Sequence, residues 1–511
     1  MHYTIKLIGS IGQNSTYSEQ DIIRLLSSKQ KDLLHGDEFT GRPSTKIHID
    51  EKHVLKIRSE IRLNLFSAER WATQALEKER HYAVHHPSKT WFIYQEDEQA
   101  EYAVIGNICP RLTPLHQLFN DESNTIEYRL DCLAQLFTYY FALAKKAQIR
   151  LDEGLSNFGI NAADNKLYYL DDDIYNWDRF VSCAHVIGVY FRALTWIDNT
   201  VAAQFAQTVR KIIIQFFEDE QYLTVLAELL RDIFVPSETQ RIALENFIHT
   251  LDSRKTQSDS PNFNNSRYIA LLADVHGNLP ALDAVLAFLK LKNIEYGLVL
   301  GDIVGYGPYP SECIQRLQET KLTVIKGNHD HGLATGHFIR GFSSTASWVL
   351  EWSQSRITPA QKEWLAELPP VLHGDKWLAL HGAPIDPTFF NAYVYEMTYT
   401  DNLDGLQKKK IPICFHGHTH LPGVYTRKKS SISDTHTTEK NVDLSAFDYA
   451  LICPGSIGQP RNRQQGAQFA IYDQKENKLN YHTVMYDVDS LTKIMASEGF
   501  PQTLINILQG H

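Results

Sequence analysis

Residues 268–291 read YIALLADVHGNLPALDAVLAFLKL. Residues 268–273 are almost entirely apolar and predict a buried strand, and apolar residues at positions 279, 282, 285, 286 and 289 have helical spacing. Asp274 and His276 lie between these two predicted elements. Side chains at the carboxyl ends of strands in a layered α/β fold converge on one crevice, where ligands usually bind. We therefore expect an α/β domain in this half of the chain, with a polar site at its strand ends.

Four more short motifs follow in a fixed order. They are Gly301-Asp302, Gly327-Asn328-His329-Asp330, His381-Gly382 and Gly417-His418-Thr419-His420. Apolar strand-like runs at 296–300, 322–325, 377–380 and 411–415 precede them. A mixed imidazole and carboxylate ligand set suits Mn, Fe, Zn or Co better than Ca. The motifs therefore predict a transition-metal site.

Hydrolysis of a phosphate ester is a reaction that such a site can serve. A metal pair roughly 3.5–4 Å apart lowers the pKa of a water molecule and neutralises phosphate oxygens, and one ligand should bridge the two ions. Asp302 is the natural bridging candidate because it follows Gly301 on a tight strand-to-loop turn. The pattern predicts a dinuclear phosphoesterase centre.

These motifs, together with PGSIGQPR at 454–461, resemble the calcineurin-like metallophosphoesterase superfamily and its YfcE-type phosphodiesterase branch. The resemblance implies a four-layer α/β/β/α sandwich that binds two divalent transition metals (Mn, Fe, Zn or Ni, with Mn favoured). The implied metal ligands are Asp274, His276 and His420 for the first ion, Asn328, His381 and His418 for the second, and Asp302 as the bridge.

The resemblance also implies catalytic roles for two residues that bind no metal. His329 would protonate the leaving oxygen or stabilise the transition state. Asp330 would orient His329 and keep it cationic. Arg461 is either a clamp for a phosphate oxygen or an ordinary surface arginine, and the sequence leaves both interpretations open.

The first half of the chain carries a different pattern. Asp152 is followed five residues later by Asn157, and an apolar run then ends at Asp171 and Asp172. This spacing fits ATP phosphoryl transfer, in which Asp152 accepts the proton of a substrate hydroxyl and Asn157 with one of the two later aspartates holds Mg²⁺. The alternative is that these are ordinary turn residues. Upstream, Lys56 lies on a predicted strand.

The arrangement resembles the protein-kinase-like superfamily over residues 45–194, which implies an α+β bilobal fold that binds Mg-ATP. In it Lys56 would contact phosphate and Glu79, or alternatively Glu77, would pair with Lys56. The chain departs from the kinase pattern at three places. It has no Gly-x-Gly-x-x-Gly loop before Lys56, no His-Arg pair before Asp152, and Asp-Asp-Asp in place of Asp-Phe-Gly.

Length and composition set the remaining expectations. A chain of 511 residues predicts more than one domain, and the Ser/Asn/Asp/Pro-rich segment 252–267 is typical of a linker between domains at 1–251 and 268–511. The net charge of −10 argues against a broad nucleic-acid-binding surface. The chain shows no signal peptide, no membrane-length apolar run and no Cys-x-x-Cys pair, so we predict a cytoplasmic enzyme.

The sequence thus predicts a metal-dependent phosphoesterase fused to a kinase-like, ATP-binding domain. The substrate would be a phosphomonoester or phosphodiester of a small molecule, a nucleotide or a nucleic-acid end. One interpretation is a bifunctional kinase and phosphatase. The alternative is a phosphoesterase joined to a non-catalytic pseudokinase scaffold that regulates it or binds a partner. The oligomeric state is left open.

Overall fold

The computed structural model describes residues 3–12, 16–28, 30–31, 45–96, 100–252, 263, 266–338, 342–386, 392–428 and 433–510. The chain separates into two compact units, Met1–Leu251 and Asp252–His511. Most of the linker predicted at 252–267 lies outside the described residues.

The first unit begins with a six-stranded antiparallel sheet in the order β1-β5-β6-β4-β3-β2. Two smaller sheets, β10-β9-β7 and β11-β8, follow. The strands are β1 (Thr4–Ser10), β2 (Gln30–Lys31), β3 (Thr45–Ile49), β4 (His53–Leu63), β5 (Thr90–Gln95), β6 (Ala103–Pro110), β7 (Thr113–Pro114), β8 (Ile149–Arg150), β9 (Phe158–Asn161), β10 (Lys166–Tyr169) and β11 (Tyr175–Asn176).

Two helices cover the large sheet of the first unit, and the remaining helices follow it in sequence. Helix α1 packs on one face with Leu55 and Phe92, and α2 packs on the other with Trp91 and Ile105. The helices are α1 (Glu19–Leu26), α2 (Leu65–Tyr82), α3 (Leu115–Asn120), α4 (Ile126–Ala147), α5 (Val181–Ala193), α6 (Asn199–Phe217), α7 (Gln221–Arg231) and α8 (Glu238–Leu251), with a 3-10 turn at Leu155–Asn157. This half is therefore built of both helices and sheets.

The second unit contains two six-stranded sheets, ordered β14-β13-β12-β22-β23-β20 and β15-β16-β17-β21-β18-β19. Strands β12, β13 and β14 run parallel, as do β16, β17 and β21. The strands are β12 (Tyr268–Leu272), β13 (Gly297–Val299), β14 (Thr323–Val324), β15 (Val371–His373), β16 (Trp377–Leu380), β17 (Ile413–Phe415), β18 (Gly423–Arg427), β19 (Thr435–Thr437), β20 (Asn441–Asp443), β21 (Tyr449–Cys453), β22 (Ala467–Asp473) and β23 (Lys478–Val484).

Helices cover the outer faces of both sheets. They are α9 (Leu279–Leu291), α10 (Pro310–Gln318), α11 (Asn328–Thr335), α12 (Ser344–Gln354), α13 (Pro359–Glu367), α14 (Tyr399–Lys409), α15 (Val488–Ser497) and α16 (Gln502–Leu508), with a 3-10 turn at Leu444–Ala446. Helix α9 has the bounds that its apolar spacing predicts. The side chain of Asn278 accepts the backbone N–H of Ala281 and so caps this helix.

Alternation along β12 builds two of the core layers. Ile269 and Leu271 face the second sheet, where they join a buried cluster with Phe415. Ala270 and Leu272 point the other way, into a cluster with the helical layer. A third cluster packs α14 against the far side of the second sheet. The result is the α/β/β/α layering that the resemblance implies.

Two expectations about cellular context bear on the described residues. Within them, none of the helices combines the length and apolar character that a bilayer crossing requires. All six cysteines are free thiols, and five of them are buried.

Candidate metal centre

The parallel strands deliver the predicted ligands to one edge of the second unit. Asp274 follows β12, Asp302 follows β13, and His381 follows β16 directly. His418 and His420 follow β17. Because parallel strands end at the same side of a sheet, residues far apart in sequence meet in one buried pocket.

The first group of side chains contains Asp274, His276 and His420, whose ligand atoms all lie within 4.8 Å of one another. His276 Nδ1 donates to the carbonyl of Val304 at 3.1 Å, and His420 Nδ1 donates to the carbonyl of Gln459 at 2.6 Å. A carbonyl can only accept, so both rings carry their hydrogen on Nδ1 and present a lone pair at Nε2.

These two lone pairs face each other. The Nε2 atoms of His276 and His420 are 3.1 Å apart. Burial lowers the pKa of both histidines well below the usual value, which leaves the rings neutral. Two neutral acceptors at this distance repel unless a cation lies beside them. The donor chemistry of the first group therefore fits a bound divalent metal.

The second group contains Asp302, His381 and His418, and Asn328 lies beside it. His381 Nδ1 donates to the carbonyl of Leu300 at 2.7 Å, which directs Nε2 inward. That Nε2 lies 3.0 Å from His418 Nδ1, 3.1 Å from Asn328 Oδ1 and 3.2 Å from Asp302 Oδ2. Carboxylate, imidazole and amide donors thus point at one small volume.

Asp302 connects the two groups. Its Oδ2 is 3.2 Å from His381 Nε2 and 3.7 Å from His276 Nε2, while its Oδ1 accepts the backbone N–H of His329 at 2.9 Å. Burial opposes the charge on this carboxylate, but the neighbouring histidines, His381 first, bring its pKa well below the usual range. An ionised carboxylate between two ligand groups is the geometry that a bridging ligand requires.

The charge on Asp302 also governs His381. Burial opposes protonation of this ring, but the Asp302 carboxylate raises the pKa of His381 to about 9. Burial raises the pKa of Asp274 to about 7, and the charge of Asp302 adds to this effect. The buried carboxylates therefore favour protonation of the groups around them. A bound cation would neutralise this negative charge, as expected at a metal site.

Backbone strain is concentrated at the same residues. Asp274, His276, Asp302, His418 and His420 all have positive φ angles, between 49° and 68°. Left-handed backbone costs a non-glycine residue on the order of 1–2 kcal/mol. Such strain clusters at functional sites, where the surrounding structure holds it in place.

Asp330, which follows His329 in sequence, binds backbone N–H groups. The Asp330 carboxylate accepts the backbone N–H groups of Gly327, Ile303 and Val304 at 2.9, 2.9 and 3.2 Å. Among the described residues, no partner reaches His329 Nδ1. Asp330 therefore braces the loop that carries His329, and its role in orienting that ring stays a prediction.

The cationic state expected of His329 stays a prediction. Burial lowers the pKa of His329, and the nearby Asp302 carboxylate offsets this only in part. The ring is held by packing against Tyr306 and Phe342, with centroids 4.7 and 5.3 Å away. Its Nε2 lies 4.0 Å from Asp302 Oδ2, so one edge of the ring faces the metal centre.

Two tyrosines at the centre were not predicted from the sequence. The Tyr306 ring contacts His276 and His329, with centroids 4.6 and 4.7 Å away. The Tyr393 ring stacks on His418 at 3.9 Å, and the charge of Arg461 acts on the pKa of Tyr393. Tyr306 lies in the Gly305–Gly307 turn, which is a weak signal, whereas nothing in the sequence marks Tyr393.

In the first unit the structure corrects the predicted lysine–glutamate pair. Glu79 binds Lys89, not Lys56, with Oε1 2.6 Å from Lys89 Nζ. The other oxygen of Glu79 accepts the indole N–H of Trp91 at 2.8 Å. Lys56 instead donates to the carbonyl of Leu170. Lys89 directly precedes β5. Its ammonium lies at the buried face of α2, where Glu79 is, whereas the Lys56 ammonium lies at the carbonyl of Leu170.

Lys89 also forms an ion pair with Asp172, one of the two predicted Mg²⁺ ligands. Its Nζ is 2.6 Å from Asp172 Oδ1, and Asn107 donates to Oδ2 at 3.2 Å. Burial opposes the charge on Asp172, but Lys89 and Lys56 bring its pKa well below the usual value. Asp171 Oδ1 accepts the backbone N–H of Asp172 at 2.8 Å, and burial raises the pKa of Asp171. Asp172 is therefore a partner of Lys89.

The remaining predicted residues of this unit lie in two segments that a backbone hydrogen bond joins. Asp152 Oδ1 accepts the backbone N–H of Gly154 at 3.0 Å. The backbone carbonyl of Asn157 accepts the N–H of Leu170 at 2.8 Å, which ties the loop to the segment that precedes Asp171. Asp152, Asn157 and Asp171 thus belong to adjoining segments, and their roles stay predictions.

Comparison with known proteins places the second unit in a family. Residues 268–477 match the calcineurin-like phosphoesterase superfamily domain. An uncharacterized protein of Methanocaldococcus jannaschii is 29% identical over 240 residues, which cover 46% of this chain and 95% of that protein. Phosphodiesterase YfcE of Escherichia coli is 25% identical over 160 residues, covering 29% of this chain and 67% of that enzyme.

A crystal structure of a metallophosphoesterase from Sphaerobacter thermophilus is also similar. It is 29% identical, covers 48% of this chain and 99% of that chain, and has a TM-score of 0.42. The family match falls on the unit that carries the two ligand groups. The C-terminal half of this protein is a calcineurin-like metallophosphoesterase domain with candidate metal-binding residues.

Proposed function

We propose that the second unit hydrolyses phosphomonoesters or phosphodiesters with two divalent transition metals, Mn being favoured. The observation that carries this proposal is the shared position of Asp302 between two buried ligand groups. Asp274, His276 and His420 would hold one ion. Asn328, His381 and His418 would hold the other. Bound there, the ions would lower the pKa of a water molecule and neutralise phosphate oxygens.

The protein's own groups supply the remaining parts of the reaction. The carbonyls of Val304, Leu300 and Gln459 fix the tautomers of the three histidines, so their Nε2 atoms stay directed at the ions. His329 presents its Nε2 edge to the centre and would donate a hydrogen bond, or a proton, to the leaving oxygen. Asp330 braces the loop on which His329 is carried.

Hydrolysis by metal-depleted and reloaded protein tests this proposal. We expect full-length protein stripped with chelator to be inactive on bis-p-nitrophenyl phosphate and p-nitrophenyl phosphate, and to regain activity with Mn²⁺. His276→Ala should lower both metal content and activity. The exposed residue His337 provides a matched control, because His337→Ala should change neither. Wild-type protein that binds metal yet hydrolyses neither ester would contradict the proposal.

We also propose that the first unit has a kinase-like fold that binds Mg-ATP. The order of its elements supports this: a strand carrying Lys56, a helix carrying Glu79, and a later helical region with the Asp152–Asn157 loop. The Lys56 ammonium lies at the carbonyl of Leu170, directly before Asp171. Lysine and aspartate are therefore brought together as phosphate and Mg²⁺ binding would need.

The Lys89 contacts favour the pseudokinase form of this proposal. Lys89 neutralises both Glu79 and Asp172, two carboxylates that an active kinase would use for the phosphate-binding lysine and for Mg²⁺. We expect Mg-ATP to raise the melting temperature of the wild type and of Lys146→Ala, a surface control, but not of Lys56→Ala. Transfer of phosphate to an added hydroxyl acceptor would favour the active kinase instead.

The physiological substrate belongs to the same proposal. The phosphoesterase family suggests a phosphorylated small molecule, and a nucleotide or a nucleic-acid end meets that description. The cytoplasmic location stays a prediction.

A further inference from the structure

The mouth of the metal centre carries an aromatic ring in an unusual position. The Tyr393 ring stacks on the imidazole of His418 with centroids 3.9 Å apart and planes 25° apart. Tyr393 is nevertheless 39% exposed. One part of the ring therefore covers a metal ligand, while the rest is accessible to a molecule that enters the centre.

The backbone around Tyr393 is held firmly enough to present the ring in one place. Val394, the next residue, is buried in the cluster that packs α14 against the second sheet. The Thr398 hydroxyl donates to the carbonyl of Tyr393 and accepts the N–H of Tyr395. This turn connects the ring to the start of α14 and limits its movement.

A cation lies at the same place. The charge of the Arg461 guanidinium acts on the pKa of Tyr393, Asp274, His276 and His329. Its backbone N–H approaches the carbonyl of His420 at 3.5 Å, which ties its loop to the first ligand group. Arg461 itself is exposed. An arginine in this position can contact a phosphate oxygen and the aromatic ring together.

Exposed apolar residues follow the ligand histidines and Tyr393 in sequence. Ile385 and Leu421, which follow His381 and His420 in sequence, are 49% and 46% exposed, and Met397 is 79% exposed. Exposed apolar side chains next to a buried polar centre are typical of a ligand-binding rim. A phosphate bound at the metals would therefore place its organic group near the exposed part of the Tyr393 ring.

We propose that Tyr393 is a specificity-determining residue that stacks a planar aromatic group of the substrate, such as a nucleobase, while Arg461 contacts the phosphate. This inference rests on the proposed phosphoesterase function and names its substrate class: phosphodiesters or phosphomonoesters with a planar aromatic substituent. Every base offers a flat face, so stacking of this kind selects aromatic groups without selecting one base.

A pair of substrates with one leaving group tests the proposal. The first is the thymidine 5′-p-nitrophenyl phosphate diester, and the second is the same diester of an abasic deoxyribose. Both release p-nitrophenolate and carry the same nitrophenyl ring, so the ratio of their kcat/KM values reports what the base adds beyond that shared ring. Removal of an aromatic stacking partner costs about 1–3 kcal/mol per base, and 1.4 kcal/mol is tenfold, so we expect a wild-type ratio of about 5 to 150.

Three variants separate stacking from a structural role. Tyr393→Leu should bring the ratio near 1 through loss on the thymidine ester alone, with the bound metal unchanged. Tyr393→Phe keeps the ring and should keep the ratio, although the phenol hydroxyl is lost. Tyr395→Leu is the matched control, because Tyr395 is 38% exposed in the same segment, and it should match the wild type.

The outcomes distinguish this inference from the function on which it rests. Equal loss on both esters in Tyr393→Leu, or an unchanged ratio, would overturn the stacking role while leaving the phosphoesterase intact. A wild-type ratio near 1 would do the same. Metal-loaded wild-type protein that hydrolyses neither ester would overturn the proposed function and this inference together.

Discussion

Substitution of Gly305 by alanine should displace His329 without touching any metal ligand. Gly305 has a φ angle of +94°, and a Cβ added there would lie 2.3 Å from His329 Nδ1. Real Cβ atoms essentially never approach closer than 3.0 Å, so the imidazole must move by about 0.7 Å or more. Tyr306 and Phe342 pack against this ring, so its movement would change the edge that faces the metal centre.

The size of the effect follows from that displacement. A misplacement of about 1 Å costs on the order of 10²-fold in rate when it affects a group positioned for catalysis. We therefore expect kcat for bis-p-nitrophenyl phosphate to fall by about 10²-fold in Gly305→Ala. The metal content should stay at the wild-type level, because the tautomer-fixing carbonyl bonds of the ligand histidines do not involve Gly305.

Gly336→Ala is the matched control. Gly336 also has a positive φ, +79°, but the nearest atom to an added Cβ is 4.0 Å away. Both variants therefore carry the left-handed strain of about 1–2 kcal/mol, measurable as a lower melting temperature, and only one of them pushes His329. Gly336→Ala should keep wild-type turnover.

Turnover and metal content measured on the same samples decide the question. Wild-type turnover in Gly305→Ala would refute a catalytic role for His329. Equal loss in both glycine variants would assign the effect to backbone strain. Loss of bound metal in Gly305→Ala alone would mean that the displaced ring disturbs the ligands, and the reasoning from His329 would fail.

Three further substitutions are predicted to have measurable effects. Asp302→Asn should lower phosphoesterase turnover by at least ~10³-fold and reduce bound metal, because an amide is a poor bridge between two cations. Wild-type rates in this variant would mean that the bridging ligand is misassigned. Lys89→Met should lower the free energy of unfolding by about 3–5 kcal/mol, since Glu79 and Asp172 would be left buried without the lysine cation. A loss below about 1 kcal/mol in denaturant unfolding would contradict the importance of this ion pair. Burial raises the pKa of Glu153 to about 7 from its usual 4.5, so the folded protein holds this proton more tightly than the unfolded chain. That stabilisation is complete below pH 4.5 and is lost as the pH rises through 7. Other buried carboxyls such as Asp274 titrate in the same window, so unfolding measured from pH 4.5 to 8 should show a decline that is about 3 kcal/mol larger in the wild type than in Glu153→Gln.

The strand-and-helix pattern of the second half was predictable because its signals are local. The apolar run before Asp274 and the spacing after Asn278 each depend on neighbouring residues, and α9 has the expected bounds. The family match over residues 268–477 confirms the metallophosphoesterase fold. Parallel strands end at one edge, so ligand residues that follow them could be expected to converge before any distance was known.

The partners of the predicted residues were less accessible to prediction. Asp330 is predicted to orient His329 because it adjoins that residue, but the backbone N–H groups that its oxygens bind, from the loop after β13, were not foreseen. Lys56 and Glu79 had the expected spacing, but Lys89 lies closer to Glu79 in the folded unit. In both cases several candidates have suitable chemistry, and only the tertiary arrangement decides which one is within reach.

The sequence alone determined the residue types of the metal centre and their order along the strands, because a side chain's chemistry and a strand's apolar character are local properties. Tertiary structure alone decided which imidazole nitrogen faces inward and that Tyr393 covers His418. These features depend on contacts between segments distant in the chain, and such contacts arise only when the two sheets pack and bring their strand ends together.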